Sequence, residues 1–271
     1  MMHLAALPGR GVIAVEGEGR VSFLQGLVSN DVTQAQPGRA VWAAFLTPQG
    51  KYLADFFIIA EGDRLLLDCE AGQVQMLITR LSRFRLREKV KLTPAPELSV
   101  HAAWGSPAPT QGLVAADPRL PEAGWRVISD EPLPATATED QWQQHRLALG
   151  LPDGTRDMEP EKSVLLEGGF DELNGISWQK GCYLGQELTA RTKYRGLVKR
   201  RLVPVWVEGS LPAPGTPVFH GAQEVGTMRS GLGHSGLAVL RLGSLSERLT
   251  CGNAVLTPRI PNWMRIADSA S

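Results

Sequence analysis

Cysteine is scarce in this sequence, which contains only Cys69, Cys182 and Cys251 among 271 residues. The three lie far apart, and neither a CxxC pair nor the paired Cys/His spacing of a zinc site occurs. A disulfide framework, a zinc knuckle and a self-contained cluster site are therefore not expected. We expect the protein to hold no stable metal of its own.

Charge of one sign and long apolar runs are also missing. Lys plus Arg equals Asp plus Glu at 28 each, which argues against a globally basic nucleic-acid binder, so any anion site must be local. No segment approaches the roughly 18 uninterrupted apolar residues of a membrane span. Residues 1–11 lack both a long apolar run and an Arg-rich amphipathic stretch. We therefore expect a cytoplasmic protein without membrane contact.

The apolar content of 43% is ample for a large core, and the length favours two or three modules. Strand-like runs and helical stripes both occur, so the sequence predicts an α+β protein. Thr138 and Gln141 have the spacing of a capping box, and Gly150 supplies the stop for a helix between them. Beyond Leu202, short β-type runs broken by glycine and proline predict a small barrel or sandwich.

The segment KGCYLGQE, residues 180–187, has the composition of a functional site. If Gly185 opens a helix, the thiol of Cys182 lies near the positive end of that helix and two residues from the ammonium of Lys180. Both effects favour the thiolate form. The alternative is a buried cysteine that acts as a small hydrophobe, which is the interpretation we give to Cys69 and Cys251.

Two further features carry charge. Residues 180–201 contain seven basic residues against the single acid Glu187, so this run predicts a local anion site. Asp55 interrupts the apolar run from Tyr52 to Ile59, where an unpaired buried charge would cost several kcal/mol. Strand alternation leaves open that Asp55 simply points to water.

The KGCYLGQE segment, followed by ARTKYRG and KRR, resembles the YgfZ-type folate-binding proteins. These belong to the superfamily of the glycine-cleavage aminomethyltransferase, or T-protein. The runs RLALGLPDGTRDMEPEKSVLLEGGFDELNGISWQKG, VEGEGRVSFLQGLVSNDV and TPQGKYLADFFI extend the match over most of residues 11–202. The last 70 or so residues match only in general β character.

The resemblance implies a multi-module, aminomethyltransferase-like fold with a folate pocket near its centre. Residues 1–48 together with 135–200 would form a discontinuous first module that carries the motif. Residues 49–134 would form an inserted α+β module, and residues 201–271 a C-terminal β-barrel.

The resemblance also implies roles for individual residues. Cys182 and Lys180 match the motif cysteine and lysine, and we expect them to form the reactive centre. Arg10 stands where some relatives place an aromatic residue against folate. The residues expected to bind the cofactor, by their match to the folate site or to the signature, are Trp142, Asp55, Tyr183, Gln186, Glu187 and Arg191.

By this resemblance the protein would bind tetrahydrofolate or a derivative and support the assembly or repair of iron–sulfur enzymes, including enzymes that modify tRNA. The pterin would lie against Trp142, while Arg191 or Arg195 would meet the glutamyl tail. One thiol does not supply the four ligands of a cluster, so the expected partners are iron–sulfur carrier or client proteins. We expect no classical enzyme. The alternatives are a tetrahydrofolate-dependent aminomethyltransferase and an accessory protein that binds tRNA through residues 191–201.

Overall fold

The computed structural model describes residues 1–86 and 88–266. The strands of the described residues are β1 (His3–Ala6), β2 (Arg10–Glu16), β3 (Val41–Leu46), β4 (Tyr52–Glu61), β5 (Arg64–Glu70), β6 (Lys91–Pro94), β7 (Ser99–Trp104), β8 (Leu113–Ala116), β9 (Trp125–Ser129), β10 (Arg200–Glu208), β11 (Pro217–His220), β12 (Gln223–Leu232), β13 (Ser235–Arg241), β14 (Leu249–Cys251) and β15 (Ala254–Pro258). The α-helices are α1 (Arg20–Gln25), α2 (Val74–Ser82), α3 (Glu139–Leu149) and α4 (Gln186–Tyr194).

Two open sheets make up the first half of the fold. One has five antiparallel strands in the order β3-β4-β5-β2-β6, and the other has four in the order β1-β7-β9-β8. Strand residues alternate between faces. One face of the five-stranded sheet therefore packs against α1 and α2, through Leu24 and Leu77, and includes Cys69. Its other face, with Trp42 and Phe57, shares a core with the four-stranded sheet.

Helix α3 confirms the prediction from its end signals. The Thr138 hydroxyl accepts from the backbone N–H of Gln141, the Gln141 side chain accepts from the N–H of Thr138, and Gly150 ends the helix in the left-handed conformation at φ 76°. This placement fixes Trp142 in the first turn, facing the core.

The C-terminal strands close into a six-stranded barrel in the order β10-β13-β12-β11-β14-β15. Its interior holds Val203, Met228, Leu240 and the buried Cys251. The predicted α+β fold with a C-terminal β-barrel is thus confirmed, and the core positions of Cys69 and Cys251 are confirmed with it. Among the described residues, no helix combines the length and apolar character needed to cross a membrane.

The predicted module boundary between residues 48 and 49 falls inside the five-stranded sheet. Strands β3 and β4 lie on either side of that limit, yet they pair from Val41↔Ile58 to Leu46↔Tyr52 because a tight turn joins them. The proposed division into 1–48 with 135–200 and 49–134 therefore cuts through one sheet. Residues 267–271 of the predicted barrel range lie outside the described residues.

Candidate functional site

Lys180 anchors the loop that carries Cys182. Its Nζ donates to the backbone carbonyls of Gln25 at 2.6 Å, Val28 at 2.8 Å and Asn30 at 2.8 Å. These carbonyls belong to the end of α1 and the residues after it, where a helix leaves its last acceptors unpaired. Burial lowers the pKa of Lys180 to about 8. These three contacts give Lys180 an anchoring role in the loop, and its part in a reactive centre stays a prediction.

Two glycines fix the other end of the loop. Gly185 has φ 78°, and a Cβ there would lie 2.4 Å from the Thr47 carbonyl oxygen. Gly50 has φ 81°, and a Cβ there would lie 2.6 Å from the Gly185 carbonyl oxygen. Helix α4 therefore begins in backbone contact with the turn between β3 and β4. Gln186 completes the loop by accepting the backbone N–H of Tyr183 at 3.2 Å.

Cys182 is the exposed cysteine of the chain, and it sits on this fixed loop. The neighbouring Tyr183 is buried, with the Lys180 ammonium 5.3 Å from its ring centroid, and burial raises the pKa of Tyr183 to about 12. Tyr183 and Gln186 thus shape the loop. In the described part of the chain, no group of three or more His, Cys, Asp or Glu side chains is placed to hold a metal ion.

The basic run divides into bound and free cations. Lys193 binds Asp171, Arg200 lies 3.4 Å from Glu167, and Arg201 is buried 2.8 Å from Glu172. Glu187 and Arg191 are exposed on α4. The cations of the run that are exposed and have no acidic partner among the described residues are Arg191, Arg195 and Lys199.

Trp142 lies elsewhere, beside two adjoining cavities. The inner cavity, of about 230 Å³, is lined by Trp142, Arg10, Asp153, Gln143 and Arg156 among others. The outer cavity, of about 650 Å³, reaches the barrel and is lined by Gln143, Arg146, Arg156, Arg229 and Ser230 among others. Gln143 and Arg156 border both cavities.

Arg10 gives the inner cavity a cationic wall. Its guanidinium lies 2.7 Å from Asp68 and 3.7 Å from Asp153. Burial alone would lower the pKa of Arg10, but Asp68 and Asp153 raise it above its usual value. Burial would likewise raise the pKa of Asp153, but Arg146 and Arg10 bring it down to about 2. The cavity is therefore lined by ionised groups of both signs.

Asp55 is buried, so the alternative in which it points to water is wrong. Its two carboxyl oxygens accept from Trp42 Nε1 at 2.8 Å and from the Tyr52 hydroxyl at 2.6 Å. Burial raises the pKa of Asp55 in spite of Arg10 nearby. Asp55 borders neither the inner nor the outer cavity. The structure does not bring it together with Trp142 at one surface.

Arg10 and Arg156 line the inner cavity together with Trp142, and Arg229 lines the outer one. Arg191 and Arg195 belong to α4 and its C-terminal end, and neither borders these two cavities. Arg156 lies within the run RLALGLPDGTRDMEP, which is part of the family resemblance, so the sequence could have indicated Arg156 as a candidate site residue. Arg229 comes from β12, in the region whose sequence gave only general β character.

Comparisons with known proteins agree with this architecture. Residues 199–266 match the family model described as the CAF17 C-terminal beta-barrel domain. The solved structure of glycine cleavage system aminomethyltransferase T from Bartonella henselae aligns with 98% of this chain and 87% of its own, with a TM-score of 0.73 at 14% identity. The aminomethyltransferase-like fold is therefore confirmed.

Curated relatives cover nearly the whole chain. The mitochondrial iron–sulfur cluster assembly factor IBA57 of Mus musculus is 34% identical over 95% of this chain and 84% of its own length. The human protein of that name gives the same identity and coverage. The Mycosarcoma maydis homologue is 38% identical over 79% of this chain and 58% of its own.

The expectation of a cytoplasmic location is contradicted by these comparisons. The mammalian and fungal relatives are all named as mitochondrial proteins. The expectation rested on the composition of the first eleven residues, which does not determine the compartment.

Proposed function

Since this chain belongs to the IBA57 family of iron–sulfur cluster assembly factors, we propose that it supports the assembly or repair of iron–sulfur enzymes, with Cys182 as its reactive thiol. The YgfZ-type proteins suggested by the motifs are a related family. The observation that carries the proposal is the exposed thiol of Cys182 on a loop held at both ends.

The chain's own residues limit what Cys182 can do. An iron–sulfur cluster normally takes four protein ligands. Cys182 offers one, and the described residues place no further ligand group around it. A cluster bound here would be cargo, held jointly with a carrier or client protein that supplies the remaining thiolates. The rigid loop would present the sulfur in a fixed direction, so that the partner approaches one defined surface.

Genetic complementation tests this role. In a strain that lacks its own homologue and has low activity of iron–sulfur enzymes, the wild-type chain is expected to restore activity and Cys182→Ala is not. Gln179→Ala, at an exposed neighbouring position, is the matched control and is expected to restore activity. Immunoblots should show each variant at the same abundance as the wild-type protein. Full rescue by Cys182→Ala would remove the thiol from the proposal.

Folate is a second proposed ligand, supported by the cavities beside Trp142. The inner cavity alone is smaller than the roughly 300 Å³ at which pockets for drug-sized ligands begin, so it would take only the ring system. The outer cavity shares Arg156 with it and is also lined by Arg229, so a ligand that extends past Arg156 would reach Arg229. An aromatic wall followed by two guanidiniums suits an elongated ligand with a flat head and a carboxylate tail. Trp142 would pack the head, and Arg156 and Arg229 would hold the tail.

Calorimetry with tetrahydrofolate tests this placement. Arg229→Ala is expected to weaken binding about tenfold, because one charge-assisted contact to a carboxylate is lost. Trp142→Ala is expected to weaken it at least as much. Arg191→Ala, on α4, is the control and is expected to leave the affinity unchanged. Equal affinities of wild type, Arg229→Ala and Trp142→Ala would contradict the placement.

The geometry gives no support to aminomethyl transfer through Asp55. A general acid or base must come within hydrogen-bond reach of its substrate. Both oxygens of Asp55 already accept from Trp42 and Tyr52 inside the core. These contacts join Asp55 to β3 and β4 inside the core.

A further inference from the structure

Helix α4 turns one charged face to solvent. Glu187, Arg191 and Arg195 follow one another at intervals of four residues, so they share that face, and all three are exposed. Thr189 and Thr192 are buried on the other side. Tyr194 ends the helix with 76% of its surface exposed. We call the surface formed by Glu187, Arg191, Tyr194 and Arg195 the α4 face; the exposed Lys199 follows it in the chain.

The cations of the α4 face are not used within the fold. The other basic residues of this run are bound to backbone carbonyls or to carboxylates, whereas Arg191, Arg195 and Lys199 have no acidic partner among the described residues. In a chain of zero net charge, this is a local positive surface. Exposed arginine and tyrosine are also the residue types most enriched at protein interfaces.

The α4 face is continuous with Cys182 through the chain and through packing. The exposed Cys182 lies between Gln179 and the first residue of α4. Gln179 and Trp178 line an open groove of about 940 Å³. The ring of Tyr194 meets Trp178 edge-on, with centroids 6.0 Å apart. The groove and the α4 face therefore meet at Trp178 and Tyr194, and Cys182 lies in the chain segment that joins Trp178 to α4.

We propose that the α4 face is the docking surface for the protein that shares a cluster with Cys182, and that this partner presents an acidic surface. The inference rests on the proposed function for the role of Cys182. Charge complementarity identifies the occupant: a thiolate-ligated cluster is anionic, since its sulfides and thiolates outweigh the charge of the iron. Cations on the helix that follows Cys182 would offset that charge and favour acidic surroundings on the partner.

Thiol–disulfide exchange tests the charge preference at Cys182. The probes are two cysteine peptides of equal length, one rich in Glu and one rich in Lys, each joined to 2-thiopyridine by a disulfide. The thiolate of Cys182 attacks the peptide sulfur, a new disulfide forms, and thiopyridine leaves and is measured by its absorbance. Wild type is expected to react about tenfold faster with the acidic peptide at low salt. The ratio of the rates with the acidic and the basic peptide should approach one near 1 M salt, where the Debye length is about 3 Å.

The double variant Arg191→Glu, Arg195→Glu is expected to reverse the preference. Arg241→Glu combined with Arg248→Glu carries the same charge change at two exposed barrel sites and is expected to keep it, while Cys182→Ser gives the blank. Equal rates with both peptides at low salt, or an unchanged ratio in the double variant, would overturn the docking surface alone. No reaction with either peptide would count against the reactive thiol itself. If tRNA protects Cys182 in wild type but not in the double variant, the face binds RNA and the proposal fails.

Discussion

Replacing Asp68 by alanine is expected to lower the free energy of unfolding by about 3–5 kcal/mol, because it leaves two buried guanidiniums without their carboxylate. Asp68 is fully buried and lies 2.7 Å from Arg10 Nε and 2.6 Å from Arg126 Nη2. Burial already lowers the pKa of Arg126 in spite of Asp68. Urea denaturation followed by fluorescence would measure the loss.

The control for this variant is an exposed ion pair. Glu208 lies 2.6 Å from Arg248, and both side chains are largely exposed. Glu208→Ala is expected to cost less than about 1 kcal/mol, since exposed pairs contribute little. If Asp68→Ala lowered the free energy of unfolding by no more than Glu208→Ala, Arg10 and Arg126 would have other acceptors. The ion pairs of Asp68 would then not be what holds the two sheets together.

Replacing Lys180 by methionine is expected to release the Cys182 loop at a cost of about 3 kcal/mol, because three charge-assisted hydrogen bonds are lost together. Methionine keeps the length of the side chain and removes its donors. Lys180→Arg is expected to restore only part of the loop's stability, because a planar guanidinium does not point three donors at convergent carbonyls.

Hydrogen exchange at single amides locates this loss. The backbone N–H of Leu184 donates to the Gly26 carbonyl at 3.1 Å, so its protection reports on the loop. Lys180→Met should lower protection there while the barrel amides stay protected. Lys199→Met, at an exposed position of the same basic run, should change neither. Unchanged protection at Leu184 in Lys180→Met would contradict the anchoring role.

Local signals in the sequence predicted local structure well. The capping box at Thr138 and the stop at Gly150 gave α3, and Gly185 gave the start of α4. These features depend on residues a few positions apart. Gly185 is required by the structure, since its φ of 78° is left-handed and a Cβ there would lie 2.4 Å from the Thr47 carbonyl oxygen, whereas the space around Gly181 is open.

Charged residues could not be assigned from sequence, because their partners are distant in the chain. Lys180 meets carbonyls about 150 residues earlier, and Arg201 meets Glu172 inside the fold. The sequence left open whether the Asp55 side chain is buried or points to water. The hydrogen bonds from Trp42 and Tyr52 show that it is buried. The predicted module limit at residue 48 falls in the turn between two paired strands, and strand pairing across a turn leaves no mark in composition.

The most direct test of the central claim, that Cys182 provides one ligand to a shared cluster, is visible circular dichroism. A [2Fe–2S] cluster held by the achiral thiol mercaptoethanol gives no signal until a chiral protein binds it. Under anaerobic conditions, wild type is expected to give a visible signal that saturates at one cluster per chain, and Gln179→Ala is expected to match it. Cys182→Ala is expected to give none. An equal signal from Cys182→Ala, or no signal from wild type, would contradict the account.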